Sequence, residues 1–135
     1  MSPRIRATVD DSKWPRVYVT WPGEPLEDAD FEAAVLAMSK LLERGQRYVI
    51  LHDARRAVRP TPKQRAFAAE QQKLDAEGTR RWLKGVALVT ASPLIAGVLT
   101  AINWITPPPY PMKTFSRLSD AEAWMTTQLE GRPER

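Results

Sequence analysis

Residues 47–64 read RYVILHDARRAVRPTPKQ, and this stretch decides the fold class. Its first part, Tyr48–Leu51, is an almost continuous apolar run, which is typical of a strand covered on both faces of a sheet. Its last part has Thr61 as a capping residue, proline at the first helical position and Gln64 three residues after the cap, which is a strong helix start. A buried strand joined by a short loop to a capped helix predicts an α/β architecture.

The pattern extends on both sides of this stretch. Upstream, alternating apolar residues predict an amino-terminal hairpin with its turn at Asp10–Lys13, and then a helix that packs through Phe31 and Leu42 and stops at Gly45. Downstream, the predicted elements are the strand Val86–Thr90, the helix Pro93–Ile105, the strand Met112–Phe115 at a sheet edge, and a helix opened by a capping box at Ser119–Glu122. The order β-β-α-β-α-β-α-β-α predicts a mixed, mainly parallel sheet that begins with an N-terminal hairpin.

Composition narrows the classes of protein that fit. A length of 135 residues with 43% apolar side chains predicts one α/β domain over residues 1–130, with 131–135 as a disordered tail. The absence of cysteine excludes disulfides and thiol catalysis and favours a cytoplasmic setting. Because the single histidine, His52, has no carboxylates at ligand spacing, we predict no metal and no cofactor. No stretch approaches the roughly 20 apolar residues of a membrane span.

The last strand and helix carry a family resemblance. Their sequences, MKTF at 112–115 and AEAWM at 121–125, together with the element order, resemble the STAS/SpoIIAA-like superfamily of small bacterial domains. The resemblance implies a STAS-like fold and a regulatory, partner-binding role. In the anti-sigma-factor antagonists of that superfamily, a phosphorylatable serine lies between the strand after the first helix and the next helix. The matching stretch here, Asp53–Thr61, has no Asp-Ser-Ser-like motif, and its one hydroxyl, Thr61, is explained by helix capping.

His52 and Asp53 are the residues that most suggest catalysis. They follow a central strand at its carboxyl end, where open α/β sheets generally place ligand sites. However, adjacent strand residues point to opposite faces, so the pair does not form a simple dyad. The sequence also has no nucleophile elbow and no glycine-rich phosphate loop. We therefore predict that the protein is not an enzyme and that His52 is structural.

The basic loop, residues 55–60, and the helix start after it form the candidate contact surface. The predicted partner-binding residues are Arg55, Arg56, Arg59, Thr61, Lys63, Arg65 and Tyr110. Arginines beside a helix amino terminus can bind a phosphate, an acidic lipid headgroup or an acidic protein surface. A solvated loop that only aids solubility is the alternative. Tyr110 belongs to the proline-rich segment Trp104–Pro111, which is either a rigid contact surface or a connector; Trp104 itself, on an apolar helix expected to be largely covered, is predicted to be core.

These observations predict a non-enzymatic protein-binding module in cytoplasmic regulation or assembly, with an acidic protein as one candidate partner. The alternative is a binder of a small anionic metabolite or lipid, suggested by the similarity of the fold to CRAL-TRIO-type lipid pockets and by the apolar helix from Pro93. A third hypothesis is a homo-oligomeric structural protein joined through an exposed sheet edge. Nucleic acid is not expected, because no aromatic residues interleave with the basic cluster.

Overall fold

A computed structural model describes residues 6–105 and 107–131. The strands are β1 (Thr8–Lys13), β2 (Arg16–Thr20), β3 (Tyr48–Asp53), β4 (Leu83–Val89) and β5 (Met112–Phe115). The helices are α1 (Asp28–Lys40), α2 (Pro62–Leu74), α3 (Ala76–Trp82), α4 (Pro93–Ile105) and α5 (Leu118–Glu130). Of the predicted tail at 131–135, only Gly131 is described, as the left-handed cap of α5, and residues 132–135 lie outside the described residues.

The sheet has the spatial order β1-β2-β3-β4-β5. The β1–β2 pair is antiparallel, and every later pair is parallel. The mixed α/β class and the amino-terminal hairpin are therefore confirmed, and β5 is an edge strand as predicted. Because the parallel strands follow one another in one direction, right-handed crossovers bring α1, α2 and α4 to the same face of the sheet. The final helix, α5, covers the other face.

Two apolar clusters fill the space on either side of the sheet. On the α5 face, alternate residues of β3 and β4 pack against the final helix; they are Val49, Leu51, Ala87 and Val89, in contact with Ala121, Trp124 and Met125. On the opposite face, the cluster contains Val17, Val19, Tyr48, Ile50 and Val86. The nearly continuous apolar run of β3 therefore serves both faces, because its residues alternate between them.

Gly85 sets how closely α5 approaches the sheet. A Cβ built at this position would lie 3.0 Å from Gln128 Cγ and 3.2 Å from the Trp124 ring. A side chain larger than hydrogen would therefore require the Gln128 and Trp124 side chains of α5 to shift by a few tenths of an ångström.

The helix starts were predicted with mixed success. The capping box at Thr61 and Gln64 is confirmed, because each residue accepts a hydrogen bond from the backbone N–H of the other. The capping box predicted at Ser119 is wrong, because the cap of α5 is Arg117, two residues earlier, and it provides no capping side chain. The hairpin turn is also shifted, since β1 continues to Lys13 through an irregular pairing and the chain reverses at Trp14.

The prediction that α4 is largely covered is wrong. Leu94 and Trp104 are 57% and 83% exposed, so this tryptophan is not core. Apolar residues surround the α4 helix on all sides, and burial of one side leaves the other in solvent. The helix packs mainly against α2 rather than directly on the strands. A gap therefore remains between α4 and the sheet, and this gap is the candidate site.

Candidate functional site

A cavity of about 270 Å³ lies between the sheet and the layer of α1, α2 and α4. Its floor is the sheet face that carries Ile50, Val86 and Leu88, and its roof includes Val98 and Ile102 of α4. An apolar cavity of about 150 Å³ is enough to hold a benzene molecule. The present cavity therefore has room for a larger apolar compound.

The cavity opens at the carboxyl end of the sheet. Among the described residues that line it, those that are solvent-exposed all belong to the segments after β2 and after β3; they are Glu24, Pro25, Val58, Arg59 and Thr61. The lining residues at the amino end of the sheet, such as Tyr48 and Leu83, are buried or partly buried. We call the exposed set the mouth of the cavity.

Trp21 and His52 stand just inside the mouth. The Trp21 Nε1–H donates a hydrogen bond to His52 Nδ1 at 3.0 Å, and the two rings are stacked with centroids 6.0 Å apart. Phe31 packs on the other side of Trp21, with ring centroids 5.7 Å apart. This packing follows from the parallel pairing of β2 with β3, which brings the residue after β2 beside the last residues of β3.

Burial lowers the pKa of His52 to about 4, so the ring is neutral at pH 7. Because Nδ1 accepts the hydrogen bond from Trp21, the ring proton is on Nε2. No residue in the described part of the chain accepts a hydrogen bond from this N–H. His52 lines the cavity and is half-buried, which leaves Nε2–H as a donor for an occupant.

His52 and Asp53 do not act together. Asp53 faces away from the cavity and binds Arg55, with Arg55 Nη2 at 2.8 Å from Asp53 Oδ2. The hydrogen bonds from Arg55 hold the pKa of the Asp53 carboxyl below its ordinary value. His52 is thus a hydrogen-bond donor in the cavity, whereas Asp53 belongs to an ion pair at the surface.

Two tyrosine hydroxyls lie at the closed, amino end of the cavity. Tyr48 is 1% exposed, yet neither its hydroxyl nor that of Tyr110 has a hydrogen-bond partner among the described residues. Burial raises the pKa of both phenols, that of Tyr110 to about 12, and the neighbouring carboxylate of Asp75 adds to the shift. Both are therefore neutral hydroxyls that can donate to, or accept from, a polar group inside the cavity.

Gln64 ties the walls of the mouth together. It is buried at the start of α2, and its amide donates to the Leu26 carbonyl at 2.9 Å and to the Asp28 carboxylate at 3.1 Å. The segment before α1 is thereby fixed to the first turn of α2. Sequence reasoning identified Gln64 only as part of a capping box.

The structure brings only some of the predicted site residues together. Arg59 and Thr61 belong to the mouth, whereas Tyr110 lies at the opposite end of the cavity, before β5. The remaining four do not line it; they are Arg55, Arg56, Lys63 and Arg65. Lys63 Nζ lies 3.3 Å from Asp28 Oδ2, and Arg65 donates to the Pro60 carbonyl at 2.8 Å.

Trp21, Tyr48 and the inward side of His52 are site residues that sequence reasoning did not identify. The signal available was the period of two along β3, which puts Tyr48, Ile50 and His52 on one face. That period does not show whether helices pack directly on this face or leave a cavity, because the cavity depends on the position of α4 relative to the sheet.

The described residues provide neither a metal site nor a membrane span. No group of three or more His, Asp or Glu side chains that could hold a metal ion occurs within residues 6–105 and 107–131. None of the helices in this part of the chain reaches the length and hydropathy that a bilayer span requires.

Comparison with known proteins gives the family. A family model described as SpoIIAA-like matches residues 16–126. The chain belongs to the SpoIIAA-like family. SpoIIAA-like domains are often regulatory binding modules and are generally non-catalytic. No curated protein sequence matches.

A solved structure supports the same SpoIIAA-like fold. It is an uncharacterized protein of the DUF3478 family from Shewanella loihica PV-4, whose crystal structure is described as having a SpoIIAA-like fold. The similarity covers 93% of this chain and 98% of that one, with 18% sequence identity and a TM-score of 0.54. At this identity the similarity concerns the fold alone.

Proposed function

We propose that this protein is a non-enzymatic binding module that holds a small, largely apolar molecule between its sheet and its helix layer. The observation that carries the proposal is the cavity of about 270 Å³, which is apolar along Ile50, Val86 and Ile102 and has, at both ends, polar groups that find no hydrogen-bond partner among the described residues. Ligand sites are usually apolar pockets with a few polar groups that orient the ligand.

The test is a titration with the uncharged fluorescent dye Nile red, followed by displacement with apolar compounds. Replacing Ala68, which lines the cavity on α2, by phenylalanine should fill the space and abolish dye binding without lowering the melting temperature. The matched control is Ala66→Phe on the same helix, at an exposed position outside the cavity. Equal dye binding by wild type and A68F would refute the proposal.

A second candidate function is capture of a protein partner by the basic loop. What supports it is that Arg56 and Arg59 form no ion pair within the described residues and lie on an exposed loop. Of the seven residues predicted from the sequence, the six between Arg55 and Arg65 remain the proposed contact set for this function, with an acidic surface as the expected partner; Tyr110 lies at the opposite end of the cavity. The cytoplasmic setting inferred from the absence of cysteine belongs to the same proposal.

Replacing Arg55 and Arg56 together by glutamate tests this second function, because neither lines the cavity. Partner capture from native extract should disappear in this variant and also at high salt, while dye binding is unchanged. Capture that persists in the double variant would contradict it. Self-association through the edge strands β1 and β5 remains a third proposal, and a molar mass that stays monomeric over a wide concentration range would exclude it.

A further inference from the structure

We propose that the cavity binds a carboxylic acid with a single apolar tail, whose carboxylate is held just inside the mouth by the Arg59 guanidinium and the His52 Nε2–H. This inference rests on the proposed function of the cavity and names the chemical class of its occupant. Both groups lie at the same, carboxyl end of the cavity and line its wall. Neither has an acceptor that satisfies it among the described residues.

Of the three arginines in the basic loop, Arg59 is the one placed to bind an occupant of the cavity. Arg55 is bound to Asp53, and it does not line the cavity. Arg56 lies against Gly23, also outside the cavity lining. Arg59 both lines the cavity and lacks an ion pair within the part of the chain that the structure describes. A guanidinium in this state is suited to a planar carboxylate, which it can bind through two parallel hydrogen bonds.

One acidic side chain, Glu24, also belongs to the mouth. It is exposed to solvent, so its charge is screened. The same mouth holds Arg59, which has no ion pair among the described residues, and Thr61 at the amino-terminal end of α2, where the helix dipole is positive. The balance of charge at the mouth therefore favours an anionic group on the occupant.

His52 supplies a donor of fixed direction. The hydrogen bond from Trp21 to Nδ1 keeps the proton on Nε2, on the side of the ring away from Trp21. Because the ring is neutral, it can approach a carboxylate without contributing a second positive charge. A carboxylate oxygen is the acceptor that satisfies both this N–H and a guanidinium.

A phosphate group is less well matched to this end of the cavity. Phosphate sites at helix amino termini use free backbone N–H groups. In α2, the backbone N–H of Gln64 donates to Thr61 Oγ1, and that of Arg65 donates to the Thr61 carbonyl. Pro62 has no N–H to offer. The first turn of α2 therefore presents few donors to a phosphate.

The interior sets the shape of the tail. From His52 to Tyr48 along β3 is roughly 13 Å, given a rise of about 3.3 Å per residue. Between these two residues the sheet side of the wall is apolar and includes Ile50 and Leu88, and Leu99 of α4 is apolar as well. The opposite side also carries polar side chains of α1 and α2, such as Ser39 and Gln71. An extended hydrocarbon chain follows such a path, with its far end near the Tyr48 and Tyr110 hydroxyls.

The experiment compares decanoate, methyl decanoate and decanol as competitors of Nile red at pH 7.5. Decanoate should bind at least tenfold more tightly than the ester or the alcohol. Arg59→Gln should remove this preference while leaving decanol binding unchanged. The matched control, Arg55→Gln, removes the same charge from the same loop at a position outside the cavity and should keep the preference.

His52→Leu tests the second contact. It should weaken the binding of both decanoate and the ester, because the ester carbonyl also accepts a hydrogen bond. Decanol binding shows whether the cavity of the variant is intact. From octanoate to decanoate, affinity should rise about fourfold per added methylene.

The failures of the two proposals can be told apart. If the ester and alcohol bind as tightly as the acid, or if R59Q and R55Q lose the preference equally, the carboxylate assignment is wrong and the apolar cavity still functions. If none of the three compounds displaces the dye and the dye itself does not bind, both proposals are overturned.

Discussion

The imidazole of His52 is held neutral by its surroundings rather than by a charged neighbour. Its hydrogen-bond partner is the indole of Trp21, which can only donate. Protonation of the ring would therefore turn an accepted hydrogen bond into a contact between two donors, in addition to the cost of burying a charge. The folded state thus disfavours the imidazolium form.

This environment predicts a specific dependence of stability on pH. In the unfolded chain His52 has an ordinary pKa near 6.5, and in the folded protein it is about 4. Between these values the unfolded state binds more protons, so the free energy of unfolding falls as pH decreases from about 6.5 to 4. The loss by pH 4.5 should be about 2–3 kcal/mol, measured by urea unfolding.

The matched control for this prediction is His52→Gln, which removes the titration. In this variant the curve should be flatter over the same pH range, and only the carboxylates should titrate below it. An identical slope in wild type and H52Q would show that other groups are responsible.

At the scale of secondary structure elements, local sequence signals determine where a helix begins, whereas contacts between distant elements determine which of its sides is buried. The start of α2 was predictable because Thr61, Pro62 and Gln64 act within one turn of helix. The exposure of Trp104 was not predictable, because it depends on whether a neighbouring element covers the outer side of α4. The sequence shows that this helix is apolar all round, and only the fold shows that α2 covers one side.

Two glycines test this difference between close packing and open space. At Gly85, Ala should lower the free energy of unfolding by about 1–3 kcal/mol, because its Cβ would crowd Gln128 and Trp124 of α5. At Gly97, in the middle of α4, a Cβ meets nothing within 4 Å. Gly97→Ala should raise the free energy of unfolding by about 0.5–1 kcal/mol through helix propensity. Urea denaturation of both variants checks the pair, and equal effects of the same sign would contradict the packing described for α5.

For the whole molecule, the fold follows from the order of the strands, but the cavity does not. The apolar strands and the capped start of α2 were recognisable in the sequence, whereas the start of α5 was not. The family resemblance in the last strand and helix also pointed to the correct fold. The hollow between sheet and helices depends on the height at which α4 rests on α2, which no local pattern encodes. For this reason a lipid-type ligand was an alternative at the level of sequence and becomes the leading proposal with the structure.

The arrangement of the layers predicts which helix a bound ligand protects most from hydrogen exchange. The α4 helix closes the cavity and packs mainly on α2, whereas α5 packs tightly on the opposite face. A ligand at 100 times its dissociation constant should stabilise the protein by about 2.7 kcal/mol. In hydrogen exchange with and without decanoate, the amides of α4 should gain more protection than those of α5. Protection gained in α5 but not in α4 would contradict the location of the site.

Within the part of the chain that the structure describes, the exposed lining residues occupy only the two segments that follow β2 and β3. An occupant that enters between these segments lies beside the basic loop that carries Arg55 and Arg56. A protein that docked on this loop across the mouth would meet a different surface in the loaded and the unloaded molecule. The two proposed functions would then be coupled, because occupation of the cavity by a metabolite would determine which partner the protein binds.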